Sequence, residues 1–203
     1  MSRMKWIGVL VLALALISAM GCSSRKVVSR VEAEETIDLS GNWNDTDSRL
    51  VADEMIGDAL SRPWLDTHLR DKGENPAVIV GAIKNLTDEH IATGTFLGDI
   101  ERAFVNSGSV RVVAKPEERE GVRDERMDQQ ANATVETVKE FGMELGADFM
   151  LIGEINKITD QERNEKVAFY QVDLTLTDIQ SNEKVWIGQK KLKKYIVHSM
   201  YKP

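Results

Sequence analysis

Residues 1–24 constrain the rest of the chain most, because they contain its single cysteine, Cys22. Arg3 and Lys5 precede an almost unbroken apolar run at residues 7–19, and small residues stand next to the cysteine. A positive flank, an apolar run shorter than the roughly 20 residues that span a bilayer, and a small-residue junction are typical of a bacterial lipoprotein signal peptide. We therefore predict cleavage after residue 21 and lipid attachment at Cys22, with an ordinary secretory signal as the alternative.

A lone cysteine also limits how the mature domain is held together. Without a second thiol no disulfide can form, so the domain needs a hydrophobic core. Residues 22–37 are polar with no periodic apolar face, which predicts a flexible tether, and residues 38–203 are long enough for one globular domain. Ser23 stands where an aspartate would signal retention in the inner membrane, so the outer membrane, facing the periplasm, is expected. The formal net charge of −7 disfavours nucleic acid as a partner.

Apolar periodicity predicts the elements of the globular domain. Apolar residues at every third or fourth position predict helices, continuous apolar runs predict strands buried on both faces, and alternation predicts a strand with one wet face. The predicted helices are 47–60, 93 or 95 to 107, and 131–145. The predicted strands are 77–83, 110–114, 148–158, 167–179 and 184–195. Residues 68–75 are predicted as a charged loop, and residues 115–130 as a charged loop or helix turn.

This order of elements defines the fold class. A strand, helix and strand in the first half favour parallel strands joined by a right-handed crossover, and the last three strands form a meander. We therefore expect an α/β fold with a mixed sheet of four to five strands and helices packed on one face. Gly94 and Gly98, four residues apart on one predicted helix, indicate a close helix contact.

No pattern of catalytic or metal-binding residues occurs in the sequence. The three histidines, His68, His90 and His198, are far apart and are expected at the surface, and there is no second cysteine to complete a metal site. Nucleophile elbows and phosphate-binding loops are missing from the sequence. We predict that the protein is not an enzyme and uses no cofactor or metal. A hydrolase or transferase would require His90, Asp88 and Asp99 to meet in one deep pocket.

Two surface features are candidates for binding a protein partner. The first is the loop after the first strand, with Asn85, Thr87 and His90, because open α/β sheets often bind ligands at the carboxyl ends of their strands. A simple polar connection is its alternative. The second is the last strand, where Lys191 and Lys193 lie in a run of lysines. Protection of an edge strand from aggregation is the alternative for these lysines.

Several segments, taken in order, resemble one protein family. They are NWN at residues 42–44, VIVGAIKNL at 78–86, TGTF at 93–96, FVNSG at 104–108, LGADFML at 145–151 and YQVDLTLTDIQSNEKVWIG at 170–188. In this order they resemble the outer-membrane lipoprotein activators of bifunctional penicillin-binding proteins, the LpoB-like family. The resemblance implies a fold similar to the amino-terminal domain of TolB.

The resemblance also implies a function. Members of this family bind a peptidoglycan synthase and stimulate its glycan polymerisation and peptide cross-linking, so the implied partner is a bifunctional penicillin-binding protein. Enteric members have a long, proline-rich tether, whereas this sequence has only four prolines and a short tether. The alternative is a component of an outer-membrane export complex of the CsgG-like kind, which uses the same fold as a building block.

Overall fold

The computed structural model describes residues 27–132 and 144–197. The chain divides into two units, Met1–Glu35 and Thr36–Pro203. In the first unit, residues 27–35 are exposed and contain neither helix nor strand. The predicted signal peptide with Cys22, most of the predicted helix over 131–145, and His198 lie outside the described residues. None of the described helices is long and apolar enough to cross a membrane.

A five-stranded mixed sheet forms the centre of the second unit. β1 runs parallel to both β2 and β3, whereas β3, β4 and β5 form an antiparallel meander. The α/β fold with a mixed sheet is therefore confirmed, and β5 is an edge strand. The strands, in the spatial order β2-β1-β3-β4-β5, are β1 (Ala77–Asn85), β2 (Arg111–Val112), β3 (Phe149–Glu162), β4 (Glu165–Asp178) and β5 (Lys184–Val197).

Four helices are found in the described residues: α1 (Asp45–Leu60), α2 (Pro63–Lys72), α3 (Thr93–Ser107) and α4 (Pro116–Asn132). The predicted loop over 68–75 is wrong in its first half, because Pro63 starts α2. Its fixed φ and missing N–H suit the first turn of a helix. The charge run over 115–130 is likewise α4, whose first turn carries acidic side chains that interact favourably with the helix dipole.

Asn44 and Asp47 start α1 through a reciprocal capping box. The Asn44 side-chain oxygen accepts the Asp47 N–H at 3.0 Å, and the Asp47 carboxylate accepts the Asn44 N–H at 3.0 Å. The two bonds satisfy backbone donors that a helix start leaves without partners. They also fix the backbone next to Trp43, which precedes the cap.

The hydrophobic core lies between the sheet and the helices α1 and α3. On β4, buried residues alternate with half-buried ones from Ala168 to Leu176, as the predicted strand with one wet face requires. The prediction that β1 is buried on both faces is wrong, since Ile79 is half-buried and Ala82 is exposed. The described helices α1 and α3 pack on the face that carries Val78 and Val80.

Gly94 and Gly98 do not mark a close helix contact. Apart from the adjoining residues and the backbone of α3 itself, no atom of the described residues lies within 4 Å of the position that a Cβ would take on either residue. α3 instead packs through its buried Phe96, Ile100 and Phe104, which recur at every fourth residue.

Candidate functional site

The loop that follows β1 is held in shape by its own side chains. Asn85 donates its side-chain amide to the Glu89 carbonyl at 2.7 Å, and its amide oxygen accepts the Thr87 N–H at 3.0 Å and the Thr87 hydroxyl at 2.7 Å. The Thr87 oxygen accepts the Glu89 N–H at 3.1 Å. Asn85 and Thr87 are thus half-buried and engaged within the loop, whereas the third predicted residue, His90, is exposed.

Glu89 connects this loop to the sheet through an ion cluster that the sequence analysis missed. Its carboxylate contacts the Lys157 ammonium of β3 at 2.8 Å and accepts the Tyr170 hydroxyl of β4 at 2.7 Å and the Trp43 N–H at 3.0 Å. Asp88 contacts the same ammonium at 2.7 Å, but its side chain is 75% exposed, against 10% for Glu89 and 3% for Lys157. The buried charges are therefore paired and hydrogen-bonded, as burial of charge requires.

Contacts within the cluster keep both buried groups charged. Burial disfavours the ionised carboxylate of Glu89, but hydrogen bonds from Lys157, Tyr170 and Trp43 outweigh it and hold its pKa below the ordinary value. Burial also opposes the charge on Lys157, whose bonds to the two carboxylates outweigh it and raise the pKa of the ammonium. Burial and the bond to Glu89 raise the pKa of Tyr170 far above its ordinary value. Tyr170 is therefore a hydrogen-bond donor here and stays protonated near neutral pH.

A second ion cluster joins β5 to the start of α1. The Lys194 ammonium contacts the carboxylates of Asp47 at 2.6 Å and Asp38 at 2.8 Å, and it donates a hydrogen bond to the Asn42 carbonyl at 3.1 Å. Burial opposes the charge, but the two carboxylates outweigh it and raise the pKa of Lys194. The cluster fixes residues 38–42 to β5. Nothing in the sequence indicated that Asp47 would pair with a lysine of β5.

The lysines of β5 lie on opposite faces of the sheet. Lys190 pairs with Glu54 of α1, and Lys194 belongs to the cluster just described, so both lie on the face that α1 covers. Lys191 and Lys193 alternate with them, lie on the other face and are exposed. Within the part of the chain that the structure describes, these two form no ion pair. Of the four lysines at positions 190–194, two are therefore available at the surface.

The structure does not bring the loop and these lysines into one site. Strand pairing places Lys191 beside Gln171 and Lys193 beside Phe169 of β4. The loop is fixed to Tyr170, whose side chain lies on the opposite face of that strand. The two predicted surfaces are thus separated by the thickness of the sheet.

Asp88, His90 and Asp99 do not meet in one pocket. Asp88 and His90 border a common hollow near Lys157, whereas Asp99 borders a different one and pairs with Arg102 on α3. The condition that we set for a hydrolase or transferase is therefore not met. Across residues 27–132 and 144–197, no group of three His, Cys, Asp or Glu side chains is placed to hold a metal ion.

A groove of about 720 Å³ lies between α2 and the turn from β4 to β5. Trp64 packs edge-on to Phe149 at its floor, with ring centroids 5.2 Å apart. His68 was expected at the surface, but α2 buries it against Phe149, and its Nε2 lies 3.8 Å from the Asp148 carboxylate without a hydrogen bond. The groove is also lined by the acidic and basic side chains of Asp71, Lys72, Asp178, Glu183 and Lys184. Because both signs of charge are present, the groove does not select a ligand by charge.

The protein-family model described as peptidoglycan-synthase activator LpoB matches residues 47–192. The match begins in the first turn of α1 and ends within β5, so it covers most of the second unit. The chain belongs to the LpoB family. The resemblance noted in the sequence is thereby confirmed. The matched range includes Glu89, Lys157, Tyr170 and Lys191, whereas Trp43 precedes it and Lys193 and Lys194 follow it.

Solved structures similar to this LpoB-family chain come from several bacteria. The LpoB C-terminal domain from Escherichia coli is 14% identical with a TM-score of 0.35, covering 70% of this chain and 98% of that one. The NMR structure of E. coli LpoB is 13% identical with a TM-score of 0.39, covering 87% of this chain and 84% of that one. Lipoprotein GNA1162 from Neisseria meningitidis is 15% identical with a TM-score of 0.39, covering 59% of this chain and 83% of that one. At these TM-scores the likeness by itself assigns no function. Comparison with curated proteins gives no match.

Proposed function

We propose that this LpoB-family protein is a lipoprotein, anchored to the outer membrane through Cys22, whose periplasmic domain binds and activates a bifunctional penicillin-binding protein. The observation that carries the proposal is the family match over residues 47–192. The family is described as an activator of a peptidoglycan synthase, so the chain acts on an enzyme in cell-wall synthesis rather than as one. This role requires association of two folded proteins and no cofactor or metal.

The geometry of the domain supports a role as a binding module. The Glu89 cluster ties the loop after β1 to two strands, and the Lys194 cluster ties the residues before α1 to β5. Surfaces held in this way lose little conformational entropy when a partner binds, which favours affinity. The buried charged groups of these two clusters are paired with one another.

We propose His90, Lys191 and Lys193 as the residues that contact the partner, because all three are exposed. Asn85 and Thr87, the other two residues that the sequence marked for binding, contribute by shaping the loop that carries His90. Their polar groups bond to one another and to Glu89.

Stimulation of a purified synthase tests this proposal. The full chain, purified in detergent, is added to a purified bifunctional penicillin-binding protein of the same organism, and the rates of glycan polymerisation and peptide cross-linking are measured. We expect saturable binding and an increase in both rates. Absence of both would contradict the proposal. Ring-shaped oligomers or co-purification with an export channel would instead favour the export-complex alternative.

A further inference from the structure

β5 presents a long and open strand edge. It extends over 14 residues, and in the described parts of the chain it pairs with β4 on one side and with no strand on the other. At about 3.4 Å per residue, such an edge is roughly 45 Å long. The backbone N–H and C=O groups along an edge strand are a template on which another strand can pair.

The face of β5 that points away from α1 combines positive charge with apolar surface. Lys191 and Lys193 lie at its centre and are exposed without an ion pair among the described residues. On the same face Tyr195 follows Lys193 directly, and Ile187 precedes Lys191 with Gln189 between them; Ile187 and Tyr195 are each 63% exposed. The strand therefore offers two basic groups between two apolar side chains, on a protein whose net charge is −7.

A second copy of this chain is a poor occupant of the edge. A symmetric antiparallel pairing centred on Leu192 would place each Lys191 opposite the Lys193 of the other copy. Like charges directly opposite one another on paired strands are destabilising, whereas opposite charges stabilise the pair. The lysines therefore act against self-association and favour a strand that carries acidic side chains.

We propose that the partner adds an extended, acidic segment to the open edge of β5. Main-chain hydrogen bonds along the edge supply affinity, and acidic side chains beside Lys191 and Lys193 supply specificity and register. An apolar side chain beside Tyr195 completes the contact. This inference rests on the proposed function, since the segment belongs to the penicillin-binding protein that the chain activates.

Charge reversal on β5 tests the electrostatic part of this inference. Full-length Lys191→Glu/Lys193→Glu is compared with Lys72→Glu/Lys84→Glu, a control that changes net charge equally at exposed positions on α2 and β1. Circular dichroism and thermal unfolding verify that both variants fold. We expect affinity for the purified synthase to fall about tenfold or more in the β5 variant, because like charges then face each other, and to change less than about threefold in the control. Raising the salt concentration weakens wild-type binding through screening.

Hydrogen exchange tests the strand addition itself. When the synthase binds the wild-type chain, backbone amides of β5 that face away from β4 become hydrogen-bonded, so we expect their exchange to slow. Docking by side chains alone would leave these amides unprotected. Unchanged exchange along β5, or equal affinities for the reversal and control variants, would overturn the inference while leaving the proposed function in place. Failure of the wild-type chain to bind the synthase would overturn both.

Discussion

At the scale of single residues, Glu89 and Asp88 show how burial decides what an ion pair contributes. Both carboxylates contact the Lys157 ammonium, but Glu89 is nearly buried and Asp88 is mostly exposed. Water and salt screen an exposed pair, which contributes about 0–1 kcal/mol. Removing one partner of a buried pair costs about 3–5 kcal/mol, because the other charge is left without compensation.

Glu89→Gln is therefore expected to lower the free energy of unfolding by about 2–4 kcal/mol, with Lys157 keeping only its exposed partner. Asp88→Asn, which removes a carboxylate from the same ammonium, is expected to cost much less, because solvent screens the exposed pair. Urea denaturation of the two variants and the wild type measures both values. Equal losses of unfolding free energy in the two variants would show that burial of Glu89 does not set its contribution to stability.

The same residue predicts a pH dependence. Because the pKa of Glu89 is lower in the folded protein than its ordinary value, the unfolded chain takes up the proton first as the pH falls. The stabilisation by Glu89 is thus complete near neutral pH, starts to decline near the unfolded pKa of about 4.3, and is lost as the pH falls through the folded pKa. We expect the stability difference between wild type and Glu89→Gln to shrink from neutral pH to about pH 3. Urea denaturation at each pH measures this difference in unfolding free energy. A difference that stays constant over this range would contradict a stabilising ion pair between Glu89 and Lys157.

At the scale of secondary-structure elements, one glycine on β5 lets a tryptophan join the strand to α1. A Cβ on Gly188 would lie 2.1 Å from Cζ2 of Trp186 and 3.1 Å from Cε of Met55. The Trp186 ring thus covers the glycine, an arrangement known to support glycines on edge strands, and its indole N–H donates to Asp58 at 2.8 Å. The contact between β5 and α1 therefore requires that Gly188 has no side chain, because the Trp186 ring occupies that space.

Gly188→Ala is expected to lower the free energy of unfolding by about 1–3 kcal/mol, because the added methyl group displaces the Trp186 ring. Gly98→Ala on α3 is the matched control, since no described atom outside the adjoining residues and the backbone of α3 lies within 4 Å of its Cβ position. There the substitution is expected to raise the stability by about 0.5–1 kcal/mol through helix propensity. Thermal and urea unfolding give the sign of each change, and a loss at both positions would contradict this packing argument.

At the scale of the whole molecule, folding and the proposed anchoring depend on different parts of the chain. The residues of the described core lie between Val51 and Trp186, far along the chain from Cys22. The stability of the domain therefore comes from burial of apolar surface. In the proposed function, acyl chains at Cys22 attach the protein to the membrane, and each buried methylene contributes about 0.8 kcal/mol.

Cys22→Ala is accordingly expected to release the protein from the outer membrane into the periplasmic fraction. Its circular dichroism spectrum and unfolding midpoint are expected to match those of the soluble wild-type domain. Membrane fractionation followed by immunoblotting measures the distribution. Continued sedimentation of the variant with the outer membrane would contradict the anchor.

Most elements of the fold could be predicted from local patterns, and the failures share one physical cause. The alternation of apolar and polar residues from Tyr170 to Leu176 predicts a strand with one buried face, because successive side chains of a strand point to opposite faces of the sheet. His68 was misplaced because the sequence shows that Pro63 interrupts α1 but not that a second helix follows and packs on Phe149. Likewise, the glycines on α3 fit a packing motif, yet no other described element comes within 4 Å of the Cβ position of either glycine.

The sequence by itself determined the type of most elements, the mixed sheet, the candidate residues of the loop and β5, and the family. Only the tertiary structure decided which polar residues meet. Tyr170 bonds to Glu89 across 81 residues, and Lys194 pairs with Asp38 across 156. The tertiary structure also decided that Lys190 and Lys194 are paired while Lys191 and Lys193 are exposed. The register of β5 sets which of its side chains point to the face that α1 covers. Such contacts depend on strand register and helix placement, which no local pattern encodes.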